Sequence, residues 1–289
     1  MKPSKFNYFA ADSVDGAIAM MRENGEDARY LAGGQSLVPM MNFRVASPSA
    51  LIDLNGVSEL ADIRISPDGG LEIGPMVRTR RLETDPDIEK NNPLLAAAAA
   101  HIAHFQIRNR GTLGGSVAHA DPAAELPGIT LVCEAKIHLR GPAGPRVVPA
   151  VDFFQGVFTT AADSSELIEK ICFPPWPTQR HWGFKEISRR EGDFALVGVA
   201  AWFDINDGGA ISNCACVAIG AGDTPLRLHR AENTLMGSEP SLGLFKESAD
   251  TIDADIDPFD DIHASIAYRR EVSAVLLKRT LSEAWKRNL

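Results

Sequence analysis

Two glycine pairs constrain this 289-residue chain more than any other feature: Gly33-Gly34 in Leu31-Ala32-Gly33-Gly34-Gln35-Ser36-Leu37-Val38-Pro39, and Gly114-Gly115 in Gly111-Thr112-Leu113-Gly114-Gly115-Ser116-Val117-Ala118-His119. Adjacent glycines reach backbone conformations closed to other residues and can turn several N–H groups toward one point, which makes a small anion nest. With 24 glycines and 18 prolines in all, the chain is too interrupted for a helical bundle. Neither turn carries the lysine of a phosphate-binding P-loop. Two such nests suit a pyrophosphate held by neutral backbone dipoles. The competing reading is two ordinary tight turns.

The length accommodates two modest cores. With 45% hydrophobic and 23% charged residues, the composition is that of a soluble globular protein and excludes disorder or a collagen-like repeat. The net charge of −9 opposes nucleic-acid or anionic-membrane binding, which needs the other sign on the working face. Cys133, Cys172, Cys214 and Cys216 are too sparse for a secreted disulfide framework. The N-terminus lacks an apolar signal core, and no stretch approaches the roughly 18 apolar residues of a membrane span. The expected setting is cytoplasmic, without membrane insertion.

The local pattern predicts a helix capped by Ser13 and closed by Gly25, strands over 28–31, 51–54 and 71–73, and a helix opening at Pro93 and running to about 103. Branched residues over 129–139 and 167–173 predict two further strands. Pro174-Pro175-Trp176-Pro177 continues neither strand nor helix and marks a boundary. Three strand-like segments follow (182–187, 194–205 and 211–219), then helices over 228–236, 242–252 and 262–287. The last helix is expected to bury a stripe of Tyr268, Val272, Val275 and Leu276. Short strands and helices mixed without βαβ alternation indicate an α+β fold.

Ala32-Gly33-Gly34-Gln35-Ser36-Leu37, the run Arg108-Asn109-Arg110-Gly111-Thr112-Leu113-Gly114-Gly115-Ser116, and Ala118 through Pro127 closely resemble the FAD-binding medium subunit of molybdenum hydroxylases of the carbon monoxide, nicotine and xanthine dehydrogenase kind. The likeness continues through Trp182-Gly183-Phe184-Lys185, Arg189-Arg190-Glu191-Gly192-Asp193-Phe194-Ala195 and Gly220-Ala221-Gly222-Asp223-Thr224-Pro225-Leu226-Arg227, so it covers nearly the whole chain. The resemblance implies an FAD-binding domain of the vanillyl-alcohol-oxidase-like (PCMH) type over 1–176, in pieces 1–55 and 56–176. A C-terminal domain with a three-stranded antiparallel sheet and helices would fill 177–289. It also implies FAD as this chain's cofactor, with Ala32, Gly33, Gly34, Gln35, Ser36 and Leu37 around the pyrophosphate and ribityl. Thr112, Leu113, Gly114, Gly115 and Ser116 would form the second nest, the hydroxyls at its ends acting as donors. Glu125 would accept from sugar hydroxyls, Ile102 and Ile168 would pack on the cofactor, and Lys185 would lie near the flavin ring. The expected partners are a large molybdopterin-binding subunit and a small [2Fe-2S] subunit, with a dimer of heterotrimers as one form of the assembly. Electrons would pass from the clusters to FAD here and on to an external acceptor.

The remaining features read as structure. Gly220-Ala221-Gly222 lacks the third glycine and the βαβ frame of a dinucleotide site. Cys214 and Cys216 share a strand face as buried thiols, and no metal ligands and no catalytic nucleophile or base are assigned. His119 reads as a packed ring, and Arg108 and Arg110 face either phosphate or a partner. Two alternatives stay open: a self-contained FAD oxidoreductase with a substrate pocket in the C-terminal domain, and a flavin-free assembly subunit.

Overall fold

The computed structural model describes residues 1–287, so the last two positions of the expected 177–289 domain lie outside the described residues. The chain opens with β1 (Asn7–Ala10), α1 (Val14–Asn24), β2 (Ala28–Leu31), α2 (Leu37–Asn42) and β3 (Ala50–Asp53). The three strands form a parallel sheet in the order β1-β3-β2. The Ser13 hydroxyl caps α1 by accepting from the Gly16 N–H, and Gly25 closes the helix at φ 77°, as its sequence predicts. The carboxyl ends of β2 and β3 therefore lie side by side, with the first glycine turn leaving β2 there.

A second unit follows: β4 (Ile63–Ile65), β5 (Leu71–Ile73), α3 (Thr79–Thr84), α4 (Pro86–Asn91), α5 (Pro93–His101), α6 (Phe105–Arg108), α7 (Leu113–His119), α8 (Glu125–Val132), β6 (Lys136–Gly141), β7 (Gly144–Pro149), α9 (Ala150–Phe153), β8 (Phe154–Gly156), β9 (Thr159–Thr160) and β10 (Leu167–Phe173). Five of these strands make an antiparallel sheet, β4-β5-β10-β6-β7, against which Leu94, Leu95, Leu113 and Ile129 pack. The 129–139 stretch corrects its expected form: residues up to Val132 complete α8, and the strand begins only at Lys136. All eight residues of α8 are buried. A helix covered on every side shows no amphipathic period, and its Ile, Thr and Val imitate a strand. The buried Thr130 hydroxyl is satisfied by donating to the Leu126 carbonyl, 2.7 Å away.

Beyond the prolines, β11 (His181–Ser188), β12 (Ala195–Ile205), β13 (Ile211–Ile219) and the two-residue β14 (Leu226–Arg227) form an antiparallel sheet, followed by α10 (His229–Leu235), α11 (Leu242–Asp250) and α12 (Ile266–Lys286). The three long strands are those read from the sequence, and β14 adds a short edge. The sheet is covered on both faces. Phe184, Ala200, Trp202, Ala215, Val217 and Ile219 join the core of the second unit, whereas Val197, Val199, Ala201, Phe203, Cys214 and Cys216 pack under the C-terminal helices. Period-two alternation thus sorts each strand between two cores.

Polar contacts fix the same seam. Trp202 donates its indole N–H to the Val132 carbonyl at 2.7 Å, and the Gly220 N–H donates to the Pro122 carbonyl at 2.8 Å. The Arg180 guanidinium lies 3.6 Å from the Trp202 ring centroid and is paired with Asp204 at 2.7 Å. In α12 the expected stripe is also corrected. Tyr268 and Val275 are exposed, and the buried face runs through Arg269, Ser273, Leu276, Leu277, Thr280, Leu281 and Ala284. Small residues are required because α12 presses closely on β11; a Cβ on Gly183 would stand 2.8 Å from the Thr280 carbonyl oxygen. Among the described residues, no helix is long and apolar enough to cross a membrane.

Candidate cofactor site

The two glycine turns meet in space but differ in what they offer. In the first, Gly34 takes φ 72° and the chain passes into α2. The backbone N–H groups of Gly33, Gly34, Gln35 and Ser36 donate to no protein acceptor among the described residues. The Ser36 hydroxyl makes no cap bond, and Gln35 folds its amide back on the Gly33 carbonyl at 3.1 Å. Four consecutive N–H groups without a protein acceptor, next to a left-handed glycine, are chemically suited to an anion.

The second turn does not match the expected nest. Leu113 N–H donates to the Val77 carbonyl (3.0 Å), Gly114 to Pro75 (2.8 Å), and Ser116 to Thr112 (3.1 Å); Gly115 N–H donates to the Thr112 hydroxyl (3.1 Å). Thr112 is buried and serves as the N-cap of α7. Its backbone donors are therefore committed, and of the two hydroxyls only that of Ser116 carries no bond within the chain among the described residues. Gly114 is required by packing: a Cβ there would stand 2.2 Å from the Pro75 Cβ. The second turn is a wall, set against the first. A Cβ on Gly33 would lie 2.2 Å from the Arg110 carbonyl oxygen and 2.8 Å from the Gly111 Cα, and one on Gly115 would reach Ala32 Cβ at 3.5 Å.

Farther along the same unit, Glu125 opens α8 inside the seam with the C-terminal sheet and is 5% exposed. Burial, helped by the neighbouring Glu186 carboxylate, pushes its carboxyl up to about 8. The protonated acid is thereby favoured, so Glu125 can donate as well as accept, in contrast to the purely accepting carboxylate expected from sequence. Glu186, on β11, was not singled out by any sequence signal. One of its carboxylate oxygens lies 3.5 Å from His101 Nδ1, and the other is buried without a partner among the described residues. Ile102 is half-buried beside this cluster, and Ile168 sits inside the core of the five-stranded sheet.

Arg108 is committed within the chain. It pairs with Glu83 at 2.9 Å and donates to the carbonyls of Ile102 and Ala103, holding Ala103 at φ 45°. His119 rests against the Phe158 ring, with centroids 4.8 Å apart. Lys185 lies on the opposite face of its strand from Phe184. Phe184 points into the seam against His101, so Lys185, the next residue on the strand, points the other way and is ion-paired with Glu283 of α12. The structure places it on the face turned from the seam.

Comparison with known proteins places this geometry. The model of the FAD binding domain in molybdopterin dehydrogenase matches residues 4–176, and that of the CO dehydrogenase flavoprotein C-terminal domain matches residues 182–284. The 6-hydroxypseudooxynicotine dehydrogenase complex subunit alpha of Paenarthrobacter nicotinovorans is 40% identical over 99% of this chain and 97% of its own length. A chain of the solved carbon monoxide dehydrogenase from Hydrogenophaga pseudoflava superposes with a TM-score of 0.96 at 36% identity, covering 99% of both chains. A chain of quinoline 2-oxidoreductase from Pseudomonas putida 86 does so with a TM-score of 0.94 at 35% identity, covering 100% of both.

Proposed function

This chain belongs to the FAD-binding flavoproteins of the molybdopterin dehydrogenases, and from that premise we propose that it is the electron-exit module of a heteromeric molybdenum hydroxylase. FAD would bind without a covalent bond, its pyrophosphate on the N–H groups of Gly33 to Ser36, between Ala32 and Leu37. The observation that carries this is the row of four unspent donors, beside a wall that comes so close because Gly33 lacks a Cβ. Thr112 to Ser116 would wall the site, with the Ser116 hydroxyl and the close backbone at Gly115 as its contacts. Glu125 and the unpartnered Glu186 oxygen suit sugar or ribityl hydroxyls, one group able to donate and the other in need of a donor. Ile102 and Ile168 would give the apolar side. When bound, FAD supplies the exchange between single-electron clusters and a two-electron acceptor; the protein's part is to hold, orient and shield it.

The molybdenum cofactor would reside in a large partner and [2Fe-2S] clusters in a small one, the assembly working in the cytoplasm. Residues 1–176 would form the cofactor domain and the remainder the C-terminal domain. The test is purification of the chain alone and with its companions. Alone, it should carry a flavin spectrum, release free FAD on denaturation, and show no anaerobic flavin bleaching by nicotine, quinoline, purine, aldehyde or carbon monoxide. Companion chains bearing iron and molybdenum should restore bleaching by the true substrate. Bleaching of the lone chain would instead establish a self-contained oxidoreductase, and a colourless chain that refuses FAD would leave an assembly subunit.

Lys185→Ala should leave the flavin potential unchanged, because the ammonium is tied to Glu283 on the far face of β11. Its stability cost should stay below about 1 kcal/mol, as for other half-exposed ion pairs. A downward shift of the potential in a redox titration would return Lys185 to the cofactor.

A further inference from the structure

We propose that Asn55 and Arg78 form a strut that fixes the spacing of the two glycine turns and thereby sets FAD affinity without touching the cofactor. This rests on the reading of the first turn as the pyrophosphate cradle. Asn55 lies just beyond the carboxyl end of β3 and donates its side-chain N–H to the Ala32 carbonyl at 3.0 Å, at the mouth of the first turn. Its amide oxygen accepts from Arg78 Nη2 at 2.5 Å, and Arg78 Nη1 donates to the Arg110 carbonyl at 2.6 Å, at the mouth of the second. Three hydrogen bonds thus span from one turn to the other through two side chains. They bracket the tightest approach between the turns, where the missing Cβ of Gly33 would meet the Arg110 oxygen at 2.2 Å.

Both ends of the strut are anchored. Asp53 accepts from the backbone N–H of Asn55 at 2.8 Å and from its side chain at 2.5 Å, while the Tyr8 hydroxyl donates to the other oxygen of Asp53 at 2.5 Å. Arg78 is pinned by the backbone pairs on either side of it, Thr79 N–H to the Gly111 carbonyl (2.9 Å) and Leu113 N–H to the Val77 carbonyl (3.0 Å). The assigned donors of Arg78 are directed at carbonyl and amide oxygens of the protein. Asn55 is exposed and Arg78→Lys keeps the charge and the aliphatic stem, so the unliganded fold changes little in Asn55→Ala or in Arg78→Lys. A cradle whose donors are spaced beforehand binds its ligand without ordering two loops at that moment, which is where such a strut acts.

The experiment measures FAD binding by flavin fluorescence quenching in the full chain stripped of cofactor, at several salt concentrations. Asn55→Ala and Arg78→Lys should each weaken binding about tenfold or more, the scale of losing a hydrogen bond to a charged group. The double variant should be no weaker than the weaker single, because one break disables the strut. The salt dependence should match wild type in all of them, and the melting temperature of the FAD-free protein should not move. Asn55→Asp, which keeps the acceptor for Arg78 and loses the donor to Ala32, decides the case if the alanine variant does not fold. Unchanged affinity in the Asn55 variants or additive losses would overturn the strut, as would a salt dependence that falls in Arg78→Gln but not in Asn55→Ala, which would make Arg78 a direct phosphate ligand. A wild-type chain that binds no FAD would sink the cofactor reading itself, which is a different result.

Discussion

Gly33→Ala is expected to yield a folded but colourless protein. The argument is one of space. A Cβ at Gly33 would stand 2.2 Å from the Arg110 carbonyl oxygen, 2.8 Å from its carbon and 2.8 Å from the Gly111 Cα, all backbone atoms with no rotamer to give way. The turns must part, and the four donors of the cradle lose their common aim. Losing two of the four hydrogen bonds to a charged phosphate, at about 1.5 kcal/mol each, costs about 100-fold in affinity. The face of the C-terminal sheet that packs under the C-terminal helices belongs to another core, and the near-ultraviolet circular dichroism of Phe203 and Phe245 there should persist. Flavin content after reconstitution, read from the visible spectrum, is the measurement; a normal yellow protein would mean that the turns separate at no cost and that the cradle is not the site. Gly114 is a less specific probe, since its Cβ would strike Pro75 and disturb packing first.

How far the sequence carries the argument depends on whether each feature is local. The glycine turns, the caps of α1 and the three long C-terminal strands follow from short-range rules and are found where expected. That the two turns face each other is not local, and neither is the fate of their N–H groups. Leu113 and Gly114 donate to Val77 and Pro75, residues more than thirty positions upstream, and no motif announces this. The helix α8 is hidden because burial on all sides erases periodicity. Alternation puts the neighbours Phe184 and Lys185 on opposite faces of one strand. Choosing between them requires knowing which face meets α12, and that is a property of the assembled sheet. Asn55, Arg78 and Glu186 are ordinary polar residues in sequence and acquire meaning only through their partners.

Burial holds the His119 and His138 rings below their ordinary value and so favours the fold as pH rises through it, whereas the flavin-free fold loses stability between about 4.5 and about 8 through Glu125. In the unfolded chain its carboxyl titrates near the ordinary 4.5, whereas burial and the adjacent Glu186 push it up to about 8 in the fold. Between those values the folded state holds a proton that the unfolded state has released, so stability falls with rising pH and levels off above the folded value. The span corresponds to no more than about 5 kcal/mol, at 1.36 kcal/mol for each pH unit. Asp121 adds to the rise, the Glu125 backbone N–H opposes it, and His101 faces Glu186 from the solvent side. Carboxylates such as Asp53, Glu166 and Glu283 are held below their usual range, so their contribution is lost only in more acidic solution. Glu125→Gln isolates the effect, because it cannot ionise and has the shape of the protonated acid. Urea unfolding at about pH 5.5 and about pH 9 should show wild type weakening relative to the variant between the two, so that the variant is the more stable protein at the higher pH. Parallel pH profiles would mean that Glu125 is ionised in the fold at neutral pH, and that the seam around it is wetter than its burial implies.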